Sequence, residues 1–230
     1  MGASAQDRPQ LKALAFDAYG TLFDIQSLAT TAEELFPGHG QALAQLWRTR
    51  QLEYTWLISL MDRYEDFGRI TRRALAQAAK LLGLPLDEAA ALRLMEAYLR
   101  LPPHGDVPGA LEALGQRYPL AILSNGSPQM LQPLLENAGL ARLFTAILSA
   151  DEAAIYKPSP RVYILACHRL NLTPIEIGFV SANPFDVAGA KSFGFWVCRI
   201  DRAGVPLEEL PGQPDLTVPD LTALARHLGA

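Results

Sequence analysis

An apolar run ending in a carboxylate, Leu11–Asp17 (LKALAFD), is followed by about 100 residues without another strand-like run, far beyond a usual connection. The next is Leu120–Ser124 (LAILS), and Phe144–Ser149, Ile177–Ser181 and Phe195–Ile200 follow at short intervals, with Leu216–Val218 as a sixth, weaker candidate. These runs are apolar on both faces, as parallel strands covered by helices must be. Helical candidates at Val107–Arg117, Pro128–Ala138, Pro160–Leu170 and Pro184–Ser192 lie between them. The alternation predicts an α/β fold built on a doubly wound, Rossmann-like parallel sheet.

The long interval has its own pattern. Gln41–Asp62 repeats apolar residues at helical spacing through Leu43, Leu46, Trp47, Tyr54, Leu57, Ile58 and Met61. Two more helices are expected at Thr71–Leu82 and Asp87–Leu99, and Leu101-Pro102-Pro103 with His104–Pro108 reads as the return linker. Residues 24–100 are therefore expected to form a small all-helical cap inserted after the first strand, with 1–23 and 101–230 as the core. That division explains 230 residues, long for one domain and short for two.

Composition narrows the function. Hydrophobic residues make up 50%, enough for a sizeable core and too many for a disordered chain. A net charge of −4 argues against nucleic acid, which needs a concentrated basic face. No apolar run is long enough to span a bilayer. The stretch MGASAQDRPQ lacks a signal-peptide layout, and Gln6 stands where a myristoylation pattern needs Ser or Thr. Cys167 and Cys198 lie in apolar segments and read as reduced core residues, so a cytoplasmic protein is expected.

In a parallel sheet, polar residues at strand ends converge on one edge. Here that edge would gather Asp17, Ser124-Asn125-Gly126, Lys157, Ser181, Asn183 and Asp186. A carboxylate ending a strand as apolar as LKALAF is costly unless something uses or neutralises it. Lys157 can neutralise it, and a carboxylate so poised is a reasonable covalent nucleophile, although Asp17 could instead cap the turn into Gly20-Thr21. Ser124-Asn125-Gly126 offers an anion cradle at a strand-to-helix turn, with Ser127 as the N-cap. Asn183 and Asp186 also fit plain capping, Asn at the N-cap and an acid at N3, as in Thr173-Pro174-Ile175-Glu176. Arg48, beside Trp47, is ordinarily a solvated face or a salt-bridge partner; facing a pocket, it could bind an anion. The Tyr163 hydroxyl could reach back to the Lys157 loop or simply be half-buried. His39, His104, His168 and His227 show no metal-ligand spacing.

Six motifs, FDAYGTLFD (16–24), WRTRQLEYTWL (47–57), YEDF (64–67), LSNGSP (123–128), YKPSPRVY (156–163) and SANPFDVAGAKSFGFWV (181–197), make the chain resemble the haloacid dehalogenase superfamily over nearly its whole length. Within it, the chain is most similar to the type II L-2-haloacid dehalogenases. The resemblance implies hydrolysis of short L-2-haloalkanoic acids to D-2-hydroxy acids, with inversion and without metal or cofactor. Asp17 would be the nucleophile and Lys157 its counter-ion, oriented by Tyr163 and Ser181. Thr21 would hydrogen-bond the nucleophile or its ester. Arg48 and Asn125 would accept the halide, and Ser124 would hold the substrate carboxylate. Asn183 and Asp186 would position and activate water, and Tyr19, Leu52, Phe67 and Phe185 would line an apolar pocket. Phe185 and Ala182 stand where many relatives have Trp and Ser. A homodimer is expected, although a buried core helix explains the apolar Gln41–Asp62 stretch equally well.

Three other readings compete. A Mg²⁺-dependent phosphatase would want a second acid two residues after the nucleophile, where Tyr19 stands. A phospho-acceptor receiver would carry no lid after its first strand. A catalytically dead binding module would not need Lys157 and Arg48 together with Asp17.

Overall fold

The computed structural model describes residues 10–230; the first nine residues, including Gln6, lie outside them. A six-stranded sheet forms from β1 (Ala13–Phe16), β2 (Leu120–Ser124), β3 (Ala146–Ser149), β4 (Ile177–Ser181), β5 (Trp196–Ile200) and β6 (Leu216–Val218). Its order is β3-β2-β1-β4-β5-β6, and every pairing is parallel. All six strand candidates are present. The buried residues of β1, β2 and β4 explain their continuous apolarity, since helices cover both faces.

Chain direction across the sheet reverses at β1 and β4, the topological switch at which ligands bind beyond the strand ends. Asp17 follows β1 and Ser181–Asp186 follows β4, so both fall at that crevice. The sheet helices are α5 (Val107–Gly115), α6 (Pro128–Asn137), α7 (Pro160–Leu170), α8 (Pro184–Phe193) and α9 (Leu221–Leu228).

Between β1 and β2 run α1 (Leu28–Leu35), α2 (Gly40–Leu60), α3 (Phe67–Leu81) and α4 (Glu88–Tyr98). Helices α1 and α9, eight residues each, are additions to the expected set, too short for their periodicity to stand out. Helix α3 starts at Phe67, four residues before Thr71, because Asp66 accepts the N–H groups of Gly68 and Arg69 as an N-cap.

The buried face of α2 also differs from the apolar stripe read in the sequence. Leu43, Trp47, Gln51, Thr55 and Ile58 point inward, whereas Leu57 is 52% and Met61 60% exposed. Two polar residues thus lie on the inward face of α2, while a leucine and a methionine face outward.

Candidate active site

Strand β1 delivers Asp17 with its backbone N–H donating to Val180 O at 3.0 Å, which locks the strand end to β4. The chain turns at once through Gly20, whose φ of +82° is a conformation that favours glycine. Asp17 is 6% exposed, and its side chain takes three hydrogen bonds. Asn183 Nδ2 donates to Oδ2 at 2.7 Å, Thr21 Oγ1 donates to Oδ2 at 3.0 Å, and Lys157 Nζ donates to Oδ1 at 3.2 Å. Oδ1 therefore keeps the freer lone pair.

Lys157 is 1% exposed and bridges two acids, reaching Asp186 Oδ2 at 2.8 Å. A buried ammonium is tolerated because both neighbours are carboxylates. Asp186 is fully buried, and burial pushes its carboxyl up to about 6 against the opposing pull of Lys157, with the charge of Asp17 adding to the rise.

Capping does not explain Asn183 and Asp186. Asn183 sits at the N-cap of α8 but makes no capping bond; its amide goes to Asp17 and to Tyr19 O. The same holds for Ser127, which begins α6 with no capping bond. Thr173 and Glu176 do form the expected capping box.

Tyr163 is fully buried, and its hydroxyl donates to Asp186 Oδ1 at 2.8 Å rather than to the Lys157 loop, so any influence on Lys157 passes through Asp186. Ser181 accepts the Asn183 N–H at 3.1 Å, which shapes the loop after β4 and leaves Lys157 to the two acids. Ser124 accepts the Gly126 N–H at 3.2 Å, and Asn125 Oδ1 accepts the Lys157 N–H at 2.9 Å, which leaves its Nδ2 as the free donor.

From α2, half-buried Arg48 donates to Asn183 Oδ1 at 3.4 Å and to Gln51 Oε1 at 2.8 Å. Tyr19 is 2% exposed, lying 5.7 Å from Phe67 and 5.1 Å from Tyr98 between ring centroids. Its buried hydroxyl has no partner among the described residues, and burial holds its pKa well above the ordinary 10, so it stays a donor. Leu52 and Phe185 are half-buried, and Phe185 packs edge-on against Trp56 at 5.5 Å.

Gln51, Tyr98 and Trp56 escaped the sequence reading. Gln51 carries a signal, a polar side chain four residues from Trp47 on the inward face of α2; nothing in the sequence sets Trp56 and Tyr98 apart from other helix aromatics.

A divalent metal does not fit beside Asp17. The Lys157 ammonium stands between Asp17 and Asp186, and Tyr19 O already accepts from Asn183. Among the described residues no group of three or more His, Cys, Asp or Glu side chains could hold an ion.

An aspartate at the end of β1, paired with a lysine from the loop between β3 and α7 and facing helices inserted after the first strand, defines a hydrolase class that comparison identifies. The family model for haloacid dehalogenase-like hydrolases matches residues 11–194, and the chain belongs to that family. Within it the chain falls among the L-2-haloacid dehalogenases. It is 50% identical to the (S)-2-haloacid dehalogenase of Xanthobacter autotrophicus over 84% of this chain and 76% of that one. It is 47% identical to the (S)-2-haloacid dehalogenase of Pseudomonas sp. strain YL over 93% of each. The structure of the X. autotrophicus L-2-haloacid dehalogenase with chloropropionic acid covalently bound superimposes with a TM-score of 0.89 at 43% identity, covering 94% of this chain and 97% of that one.

Proposed function

We propose that the protein is an (S)-2-haloacid dehalogenase, a hydrolase of carbon–halide bonds that converts short L-2-haloalkanoic acids to D-2-hydroxy acids. The observation that carries this reading is Arg48. Among the described residues it makes no ion pair, yet it hydrogen-bonds the asparagine that holds Asp17. A guanidinium without a carboxylate, set over a buried nucleophile, suits an anion that forms during the reaction. The relatives' names and the covalently bound chloropropionate of the X. autotrophicus protein agree with it.

In this reading Asp17 Oδ1 attacks C2 from the side opposite the halogen. The C–O bond forms as the C–X bond breaks, and the halide leaves with the bonding pair toward Arg48 and Asn125 Nδ2. Ser124 and nearby backbone N–H groups hold the substrate carboxylate, and Tyr19, Leu52, Phe67 and Phe185 surround its alkyl part. Desolvation makes the carboxylate a better nucleophile than it is in water. Water held by Asn183 then attacks the Asp17 carbonyl carbon and passes a proton to Asp186; the acyl C–O bond breaks, the departing oxygen takes that proton as the product 2-hydroxyl, and Asp17 returns to a carboxylate as the second water proton is released. The C2–O bond survives, so the configuration inverted in the first step is kept. Thr21, Lys157, Ser181 and Tyr163 hold these groups in place, within a core of 1–23 and 101–230 under a cap of 24–100. The Mg²⁺-phosphatase alternative lacks its second acid at Tyr19 and room for the ion.

A homodimer fits the exposed Leu57, Leu60 and Met61 at the end of α2, since clustered exposed apolar side chains favour association. The buried free thiols of Cys167 and Cys198 fit a reducing cytoplasm.

The test is halide release from L-2-chloropropionate with EDTA present. Release with a D-lactate product, and an aspartyl adduct on Asp17 in quenched wild type, are expected. Asp17→Asn should lose turnover by about 10³-fold or more. No release from any short 2-haloacid would sink the reading.

A further inference from the structure

Gln51 is fully buried on the inward face of α2, where the neighbouring turns place Trp47 and Thr55. Its Oε1 takes two hydrogen bonds, from Arg48 Nη1 at 2.8 Å and from the Tyr98 hydroxyl at 3.0 Å. Its Nε2 donates to Thr71 Oγ1 at 2.6 Å, and Thr71 Oγ1 donates onward to Phe67 O at 2.6 Å. Thr71 has one proton to give and has given it, so it can only accept from Gln51. This fixes the amide: a flip would set N–H groups against the guanidinium and put two acceptors face to face at Thr71.

We propose that Gln51 is a positioning residue for Arg48, its side-chain carbonyl holding the guanidinium so that Nη2 faces Asn183 and the leaving halide. This rests on the reading of Arg48 as a halide acceptor. An arginine side chain carries about 2 kcal/mol of rotamer entropy, so an unfixed guanidinium would meet the developing charge only part of the time. A carboxylate could fix it equally well, but would neutralise it and compete with the halide. A neutral amide orients the cation and leaves its charge available. That explains why a glutamine occupies an otherwise core-facing site.

The experiment titrates sodium bromide into the full chain by calorimetry, which needs no turnover. Gln51→Glu preserves shape and pairs Arg48 with a buried anion; Gln51→Met preserves volume and removes the acceptor. Both are expected to bind bromide about tenfold more weakly than wild type. With 2-chloropropionate, kcat should fall by a similar factor while KM, set by the carboxylate end, stays within about threefold. Tyr98→Phe removes the other hydrogen bond to Oε1 and leaves the Gln51 carbonyl to hold Arg48, so its bromide affinity should stay within about threefold. Both Gln51 variants are compared by thermal melts, and either one that folds carries the test.

A folded Gln51 variant that binds bromide within threefold of wild type overturns the proposal. So does a Tyr98→Phe protein that loses as much, which would make the network merely structural, or a wild type that binds no bromide. A wild type that binds bromide but releases none from haloacids sinks the dehalogenase reading and leaves the assignment of Gln51 standing.

Discussion

Asp186, the third residue of α8, holds the Lys157 ammonium at 2.8 Å, closer than that ammonium lies to the nucleophile. The lysine is thereby anchored on one acid and free to respond to the other. When Asp17 loses its charge on forming an ester, Lys157 keeps a carboxylate partner and stays in place.

Removing that ammonium leaves two buried carboxylates facing each other. Lys157→Met should lower unfolding stability by about 3–5 kcal/mol, the usual result of breaking a buried ion pair from one side. Chemical denaturation at pH 7 measures it, and a loss below about 1 kcal/mol would contradict the bridged arrangement.

The pH dependence follows from Asp186. Its carboxyl is raised to about 6 by burial and, further, by the charge of Asp17. Ester formation removes that charge, so Asp186 titrates lower in the intermediate than in the free protein. The acid limb of kcat, which reports the bound form, should therefore fall below about 6. A limb above that value in a kcat profile from halide release would refute the role of Asp186 as base.

Tyr163 tunes the same group. Its hydroxyl stabilises the ionised Asp186, so Tyr163→Phe should move the acid limb upward by roughly half to one unit. The ring keeps its packing against Phe179, Phe193 and Phe195. A downward shift would mean that the tyrosine acts elsewhere.

The buried hydroxyl of Tyr19, without a partner among the described residues, is available as a donor to a bound substrate. Tyr19→Phe should melt at the same temperature as wild type or slightly higher, while kcat/KM falls by about fivefold, the worth of one neutral hydrogen bond near 1 kcal/mol. Lower stability with unchanged kinetics would show a structural role only.

Strand positions, the helical interval after β1, the strand-end residues Asp17, Ser124 and Ser181 and the loop residue Lys157 were legible in the sequence alone. Burial on both faces imposes continuous apolarity on a parallel strand, and a charge ending such a run stands out. Which group each of those side chains meets was decided only in three dimensions. Asn183 and Asp186 satisfy a helix-start pattern by type and spacing, yet their side chains turn to Asp17 and Lys157, which lie 166 and 29 residues away. The inward face of α2 was likewise settled by packing, because Gln51 and Thr55 are satisfied by hydrogen bonds that periodicity cannot register, whereas Leu57 and Met61 remain outside. Hydrophobic pattern records what a segment must bury; only the tertiary structure supplies the distant donors and acceptors that let polar groups be buried with it.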